Sequence, residues 1–230
     1  MKVRILRQNS PLSGPYWESF DYNGPADNTV SGLLDWLNCR DNMVNDMGEK
    51  TEHIYWECSC LQGACGACAM VINGRPALAC DTFLSDLKND EIEIRPLRKF
   101  PVIKDLAVDR SVIFDNLKKA GICMEHHDPR QGEDHDHQYL AAKCLKCGLC
   151  LEVCPNYGSG EVFYGAVFAN DCYLVYAGNV KKTAEIRREY AKHFAGSCSK
   201  SLACMDVCPS QIPTLASMAK LNKEKWTQSL

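Results

Sequence analysis

Alternation of apolar and polar residues marks the first strand of the chain, residues 2–7. Trp17–Tyr22 reads as a second strand, closed by the turn Asn23-Gly24-Pro25. From Thr29 to Leu37 the apolar residues recur at helical spacing, which predicts a helix with Asn28 or Thr29 as its N-cap. A Gly- and Cys-rich loop follows over residues 58–68. Residues 69–78 read as a hairpin with Asn73-Gly74 at the turn. Alternation returns at Glu91–Arg95 and stops at Pro96. After Phe100-Pro101 the period changes. Helical spacing is expected over Val108–Ala120, Tyr139–Cys150, Ile186–Phe194 and Pro213–Lys223. Between them, Glu125–His137 carries four histidines and five acids and reads as an exposed loop. The expected fold class is α+β: a small strand-rich domain over residues 1–100 and an all-helical domain over residues 101–230.

A chain of 230 residues with 46% hydrophobic content has enough apolar material for such cores. Its net charge of −3 gives no basic surface for nucleic acid. The longest apolar stretch, Ala166–Gly178, contains Asn170 and Asp171 and falls short of the roughly 18 residues of a transmembrane helix. Membrane association is therefore expected to run through a partner.

Fifteen cysteines change the picture. A disulfide scaffold is the obvious alternative, but the count is odd and the cysteines cluster at metal-ligand spacings. Met1–Arg7 has too short an apolar run for a signal peptide, so a reducing compartment is expected. Cys60-x4-Cys65-x2-Cys68 followed by Cys80 is the plant-type [2Fe-2S] spacing. Gly63 and Gly66 permit the tight turns that bring amide N–H groups toward sulfur. Zinc is the competing occupant, although it usually takes paired C-x2-C elements. Cys58 competes with Cys60 as a ligand and otherwise reads as a small buried residue.

Two later runs share one frame: Cys144-x2-Cys147-x2-Cys150-x3-Cys154-Pro155 and Cys198-x2-Ser201-x2-Cys204-x3-Cys208-Pro209. In such runs the fourth cysteine reaches the other cluster. That rule puts Cys144, Cys147, Cys150 and Cys208 on a [4Fe-4S] cluster. It puts Cys154, Cys198 and Cys204 on a [3Fe-4S] cluster, with Ser201 at the vacant corner. A second four-iron cluster, with serinate or water on its fourth iron, is the alternative. Cys39, Cys123 and Cys172 have no partners at ligand spacing and read as core residues. No residue has the pattern of a substrate acid, base or nucleophile, so no catalytic residue is assigned.

Taken together, these motifs resemble the iron–sulfur subunit of the succinate dehydrogenase/fumarate reductase family over nearly the whole chain. Cys60-Leu61-Gln62-Gly63-Ala64-Cys65-Gly66-Ala67-Cys68-Ala69-Met70, Cys80, the junction Phe100–Asp109 and both later runs carry the resemblance. The junction segment Pro101-Val102-Ile103-Lys104-Asp105-Leu106 is the most specific, since cluster chemistry does not require it.

The resemblance implies a plant-ferredoxin-like β-grasp domain followed by a helical, bacterial-ferredoxin-like domain. It implies a flavoprotein partner with covalent FAD, where succinate and fumarate interconvert, and a cytochrome b-type membrane anchor with a quinone site. Electrons would pass FAD, [2Fe-2S], [4Fe-4S], [3Fe-4S] and quinone, or the reverse, with the chain peripheral on the cytoplasmic face of the inner membrane. The sequence departs from the family in three places. Leu61 and Gln62 replace a common Arg-Glu pair. Tyr157-Gly158-Ser159 and Ser199 stand where ubiquinone-linked members usually carry tryptophan and histidine, which points to menaquinone. The competing reading is a wire in another flavoprotein complex, of the glycolate oxidase or heterodisulfide-reductase-like kind. Such complexes usually lack both the plant-type domain and the serine substitution.

Overall fold

The computed structural model describes residues 1–87 and 90–223. The chain divides into two compact units, Met1–Asp109 and Arg110–Leu230.

In the first unit, β1 (Lys2–Arg7) buries Val3 and Ile5 completely, as its alternation requires. β2 (Tyr16–Asp21) pairs with it antiparallel, with Val3 opposite Phe20. β3 (Ala69–Ile72) and β4 (Arg75–Leu78) form the hairpin, where Asn73 and Gly74 take φ of 47° and 77°. Positive φ at both positions is what a tight two-residue hairpin demands. β5 (Glu91–Arg95) runs parallel to β1 and antiparallel to β3. The result is a mixed sheet of order β2-β1-β5-β3-β4.

Helix α1 (Val30–Asn38) buries Val30, Leu33, Leu34 and Leu37. Of the two expected caps, Thr29 acts: its Oγ1 accepts from Gly32 N at 3.2 Å. The helix start is tied to the segment after Cys80, because Val30 N donates to Thr82 O and Leu84 N to Asn28 O, both at 2.9 Å. A second, two-stranded sheet pairs β6 (Val102–Lys104) with β7 (Ala107–Val108). This pairing claims Val108, so the helix expected from that residue begins at Ser111 instead.

In the second unit, α2 (Ser111–Lys119), α3 (His135–Ala142), α4 (Leu149–Val153) and α6 (Thr183–Tyr190) precede the short α7 (Ala203–Asp206) and α8 (Thr214–Asn222). Helices α2, α3, α4, α6 and α8 pack against α5 (Gly165–Gly178). Every residue of α5 except Leu174 is buried. A helix apolar all round needs such a central place. Among the described residues no helix is long and apolar enough to cross a membrane.

Two sequence expectations change here. The helix expected over Tyr139–Cys150 is broken, since Lys146 and Gly148 take φ of 54° and 87° and split it into α3 and α4. The loop expected over Glu125–His137 ends early, because Asp134 caps α3 by accepting from Asp136 N and His137 N. His137 is then buried, stacked on Tyr173 with ring centroids 4.3 Å apart.

Candidate iron–sulfur sites

The first candidate site lies wholly in the first unit. The loop reaching β3 turns through Leu61, Gly63 and Gly66, with φ of 53°, 70° and 78°. These turns aim backbone N–H groups at sulfur. Gln62 N and Ala64 N donate to Cys60 Sγ at 3.4 and 3.3 Å, Gly63 N to Cys80 Sγ at 3.2 Å, and Ala67 N to Cys65 Sγ at 3.5 Å. The Gln62 amide, then Cys65 and the Ala64 amide, bring the Cys60 thiol down to about 7. Cys68 and Cys80 are buried with sulfurs 3.3 Å apart, and burial pushes Cys68 up to about 12.

The two later runs repeat one backbone course as well as one sequence frame. In each, the residues two and four places after the first cysteine are left-handed: Lys146 and Gly148, then Lys200 and Leu202. Lys200 N donates to Cys198 Sγ and Ile212 N to Cys208 Sγ, both at 3.4 Å.

Two cavities sort the thiols of these runs. Cys144, Cys147 and Cys150 line one of them together with Cys208. Cys154 lines the other together with Cys198, Cys204 and Ser201. Cys204 also borders the first cavity. Each cavity therefore draws cysteines from both runs, and its remaining wall is largely apolar, with Ala166 bordering both. Burial pushes Cys147 and Cys204 to about 11 and Cys150 well above the ordinary thiol range. Such sulfurs become thiolates when a metal cation supplies the charge, which suits iron–sulfur coordination.

Among the described residues no three His, Cys, Asp or Glu side chains converge to hold a single metal ion, and this includes the histidine-rich segment. Three of the cysteines expected in the core lie elsewhere. Cys39, Cys58 and Cys123 are exposed, since each sits in a polar loop or at a helix end; Cys172, on α5, is fully buried. A feature the spacing did not single out is the ion pair of Lys146 with Asp171 beside the first cavity. Its signal was present as the two polar residues, Asn170 and Asp171, inside an otherwise apolar segment.

Residues 2–115 match the family of 2Fe-2S iron-sulfur cluster binding domains, and residues 140–212 match the 4Fe-4S dicluster domain. The class is therefore a multi-cluster iron–sulfur protein with a mixed-sheet unit followed by a helical one. The succinate dehydrogenase iron-sulfur subunit of Bacillus subtilis is 37% identical, over 98% of this chain and 92% of its own length. The fumarate reductase iron-sulfur subunit of Wolinella succinogenes is 27% identical, over 97% and 96%. This chain belongs to the family of succinate dehydrogenase and fumarate reductase iron–sulfur subunits. A chain of the Mycobacterium smegmatis Sdh1 complex in the apo form shares the fold, with TM-score 0.74, 22% identity and coverage of 98% and 96%.

Proposed function

We propose that this chain carries electrons between a flavoprotein subunit with covalent FAD, where succinate and fumarate interconvert, and a quinone site at a cytochrome b-type membrane anchor. In this reading Cys60, Cys65, Cys68 and Cys80 hold a [2Fe-2S] cluster in a plant-ferredoxin-like β-grasp domain. Cys144, Cys147, Cys150 and Cys208 hold a [4Fe-4S] cluster, and Cys154, Cys198 and Cys204 a [3Fe-4S] cluster, in a helical ferredoxin-like domain. The observation that carries the reading is the sorting of thiols from both runs into two cavities, with the fourth cysteine of each run in the cavity of the other.

When bound, the clusters supply one-electron acceptors and donors. The chain's own contribution is electrostatic. The amides of Gln62, Gly63, Ala64 and Ala67 point at sulfur and favour the more negative, reduced state. The later cavities surround the sulfurs with largely apolar walls. Ser201 places a hydroxyl where the frame calls for a thiolate, and a hydroxyl is a poor iron ligand beside sulfur. Substrate chemistry belongs to the flavoprotein. Ser199 and Tyr157-Gly158-Ser159 favour menaquinone as the quinone. The chain would sit at the cytoplasmic face of the inner membrane, held there by its anchor partner.

EPR on the detergent-extracted complex tests this reading. After oxidation, succinate is expected to remove the oxidised [3Fe-4S] signal and to produce a reduced [2Fe-2S] signal. Clusters that answer only to a strong chemical reductant would place a different flavoprotein upstream.

A further inference from the structure

Lys146 lies between Cys144 and Cys147, held in the left-handed region at φ 54°, and lines the same cavity as the four thiols. Its ammonium makes an ion pair and hydrogen bond with Asp171 Oδ1. Asp171 sits on α5 next to Asn170, which also lines that cavity. It is 8% exposed, and its second oxygen, Oδ2, is buried without a hydrogen-bond partner. A buried carboxylate satisfied on one side only is costly, and a buried ion pair is poor value as a stabiliser. Stability alone is thus a weak explanation for the pair. Its position provides another: Lys146 stands two residues after Cys144 and one before Cys147, and lines the cavity that both thiols border.

We propose that Lys146 and Asp171 set the reduction potential of the cluster held by Cys144, Cys147, Cys150 and Cys208. The inference rests on the reading of those four cysteines as [4Fe-4S] ligands. Reduction adds one negative charge at a site already ringed by thiolates. A cation beside it favours the reduced state and an anion the oxidised state, and partial burial leaves both weakly screened. Lys146 borders the cavity and acts directly. Asp171 is a positioning residue: it draws the ammonium to itself and cancels part of its field.

The test is an EPR-monitored redox titration of the intact, cluster-loaded complex. Lys146→Met is expected to shift the four-iron potential downward and Asp171→Asn to shift it upward. The double variant should fall between the two, and Lys146→Arg, which keeps the charge, should retain the wild-type value. The [2Fe-2S] and [3Fe-4S] potentials in the same samples serve as references and should stay in place. A four-iron signal with the wild-type potential in both single variants overturns the proposal. Shifts of the same sign in both also overturn it, since that pattern reports loosened packing. A wild-type complex with no four-iron signal would instead overturn the ligand assignment, and this inference with it.

Discussion

Arg7 and Asp105, 98 residues apart in the chain, form a fully buried, two-pronged ion pair: Arg7 Nε donates to Oδ1 at 3.2 Å and Nη2 to Oδ2 at 2.9 Å. Arg7 Nη1 lies 2.7 Å from Glu18 Oε2, 3.0 Å from Thr51 Oγ1 and 2.9 Å from the Glu52 carbonyl, sharing its two hydrogens among them, and Nη2 donates to the His53 carbonyl at 3.0 Å. Asp105 in turn accepts from the amides of Gln8 and Tyr55. One ion pair thus ties β1, the β6–β7 turn and residues 51–55 together, and residues 51–55 lead directly into the cysteine loop. Cluster chemistry gave no reason for the junction sequence around Asp105. The buried guanidinium supplies it.

Asp105→Asn removes the charge while keeping the shape, and asparagine tolerates the φ of 46° found there. Removing one partner of a buried pair costs about 3–5 kcal/mol. The expected result is a lower denaturation midpoint together with faster loss of [2Fe-2S] absorbance on heating. A midpoint within experimental error of wild type would mean that Glu18 alone satisfies Arg7.

The sheet was largely legible because its signals are local. Alternation marked β1 and β5, and Asn73-Gly74 marked the β3–β4 turn. Cysteine spacing and the junction segment were enough to identify the family. What stayed hidden depends on contacts far apart in sequence. Val108 reads as helical until Val102 is seen opposite it. The periodicity of Tyr139–Cys150 gives no hint that the residues around Lys146 leave the helix to bring thiols together. His137 looks exposed among acids, and its burial comes from Tyr173 and Ser217 on two other helices. The exposure of Cys39, Cys58 and Cys123 shows that cysteine composition alone does not assign a residue to the core.

Gly165 opens α5 at φ 76°, and a Cβ there would stand 2.1 Å from Leu151 Cδ2, itself buried on α4. Gly165→Ala therefore combines left-handed strain with overpacking, together about 2–4 kcal/mol. Because α4 lies between Cys147 and Cys154, the variant is expected to lose iron from the second unit before the first. Iron content and visible absorbance against temperature check this. Simultaneous loss from both units would count against the local explanation.

Ser201 shares a cavity with Cys154, Cys198 and Cys204, and Ser201→Cys restores the four-thiol frame there. The variant is expected to exchange the three-iron EPR signal of the oxidised protein for a four-iron signal of the reduced protein, at a lower potential. The added thiolate makes the site more negative and so disfavours reduction. An unchanged three-iron signal would mean that Ser201 does not face the vacant corner.

His137 gives the second unit a pH dependence of known sign. Burial holds its imidazole below the ordinary value. Lys220 on α8 adds to that effect, while Asp134 and Glu133 oppose it. The ring is stacked on Tyr173 of α5, and its Nε2 lies 3.0 Å from the buried Ser217 Oγ. The unfolded chain takes up this proton near pH 6.5, above the pH at which the folded chain does. The contribution of neutral His137 is therefore complete above about pH 6.5 and is lost as the pH falls through the folded value. His137→Gln keeps a polar partner for Ser217 but cannot titrate. Thermal midpoints of the cluster-loaded protein, measured from pH 8 to pH 5, should fall less steeply in the variant than in wild type. Parallel curves would assign the acid sensitivity to other groups.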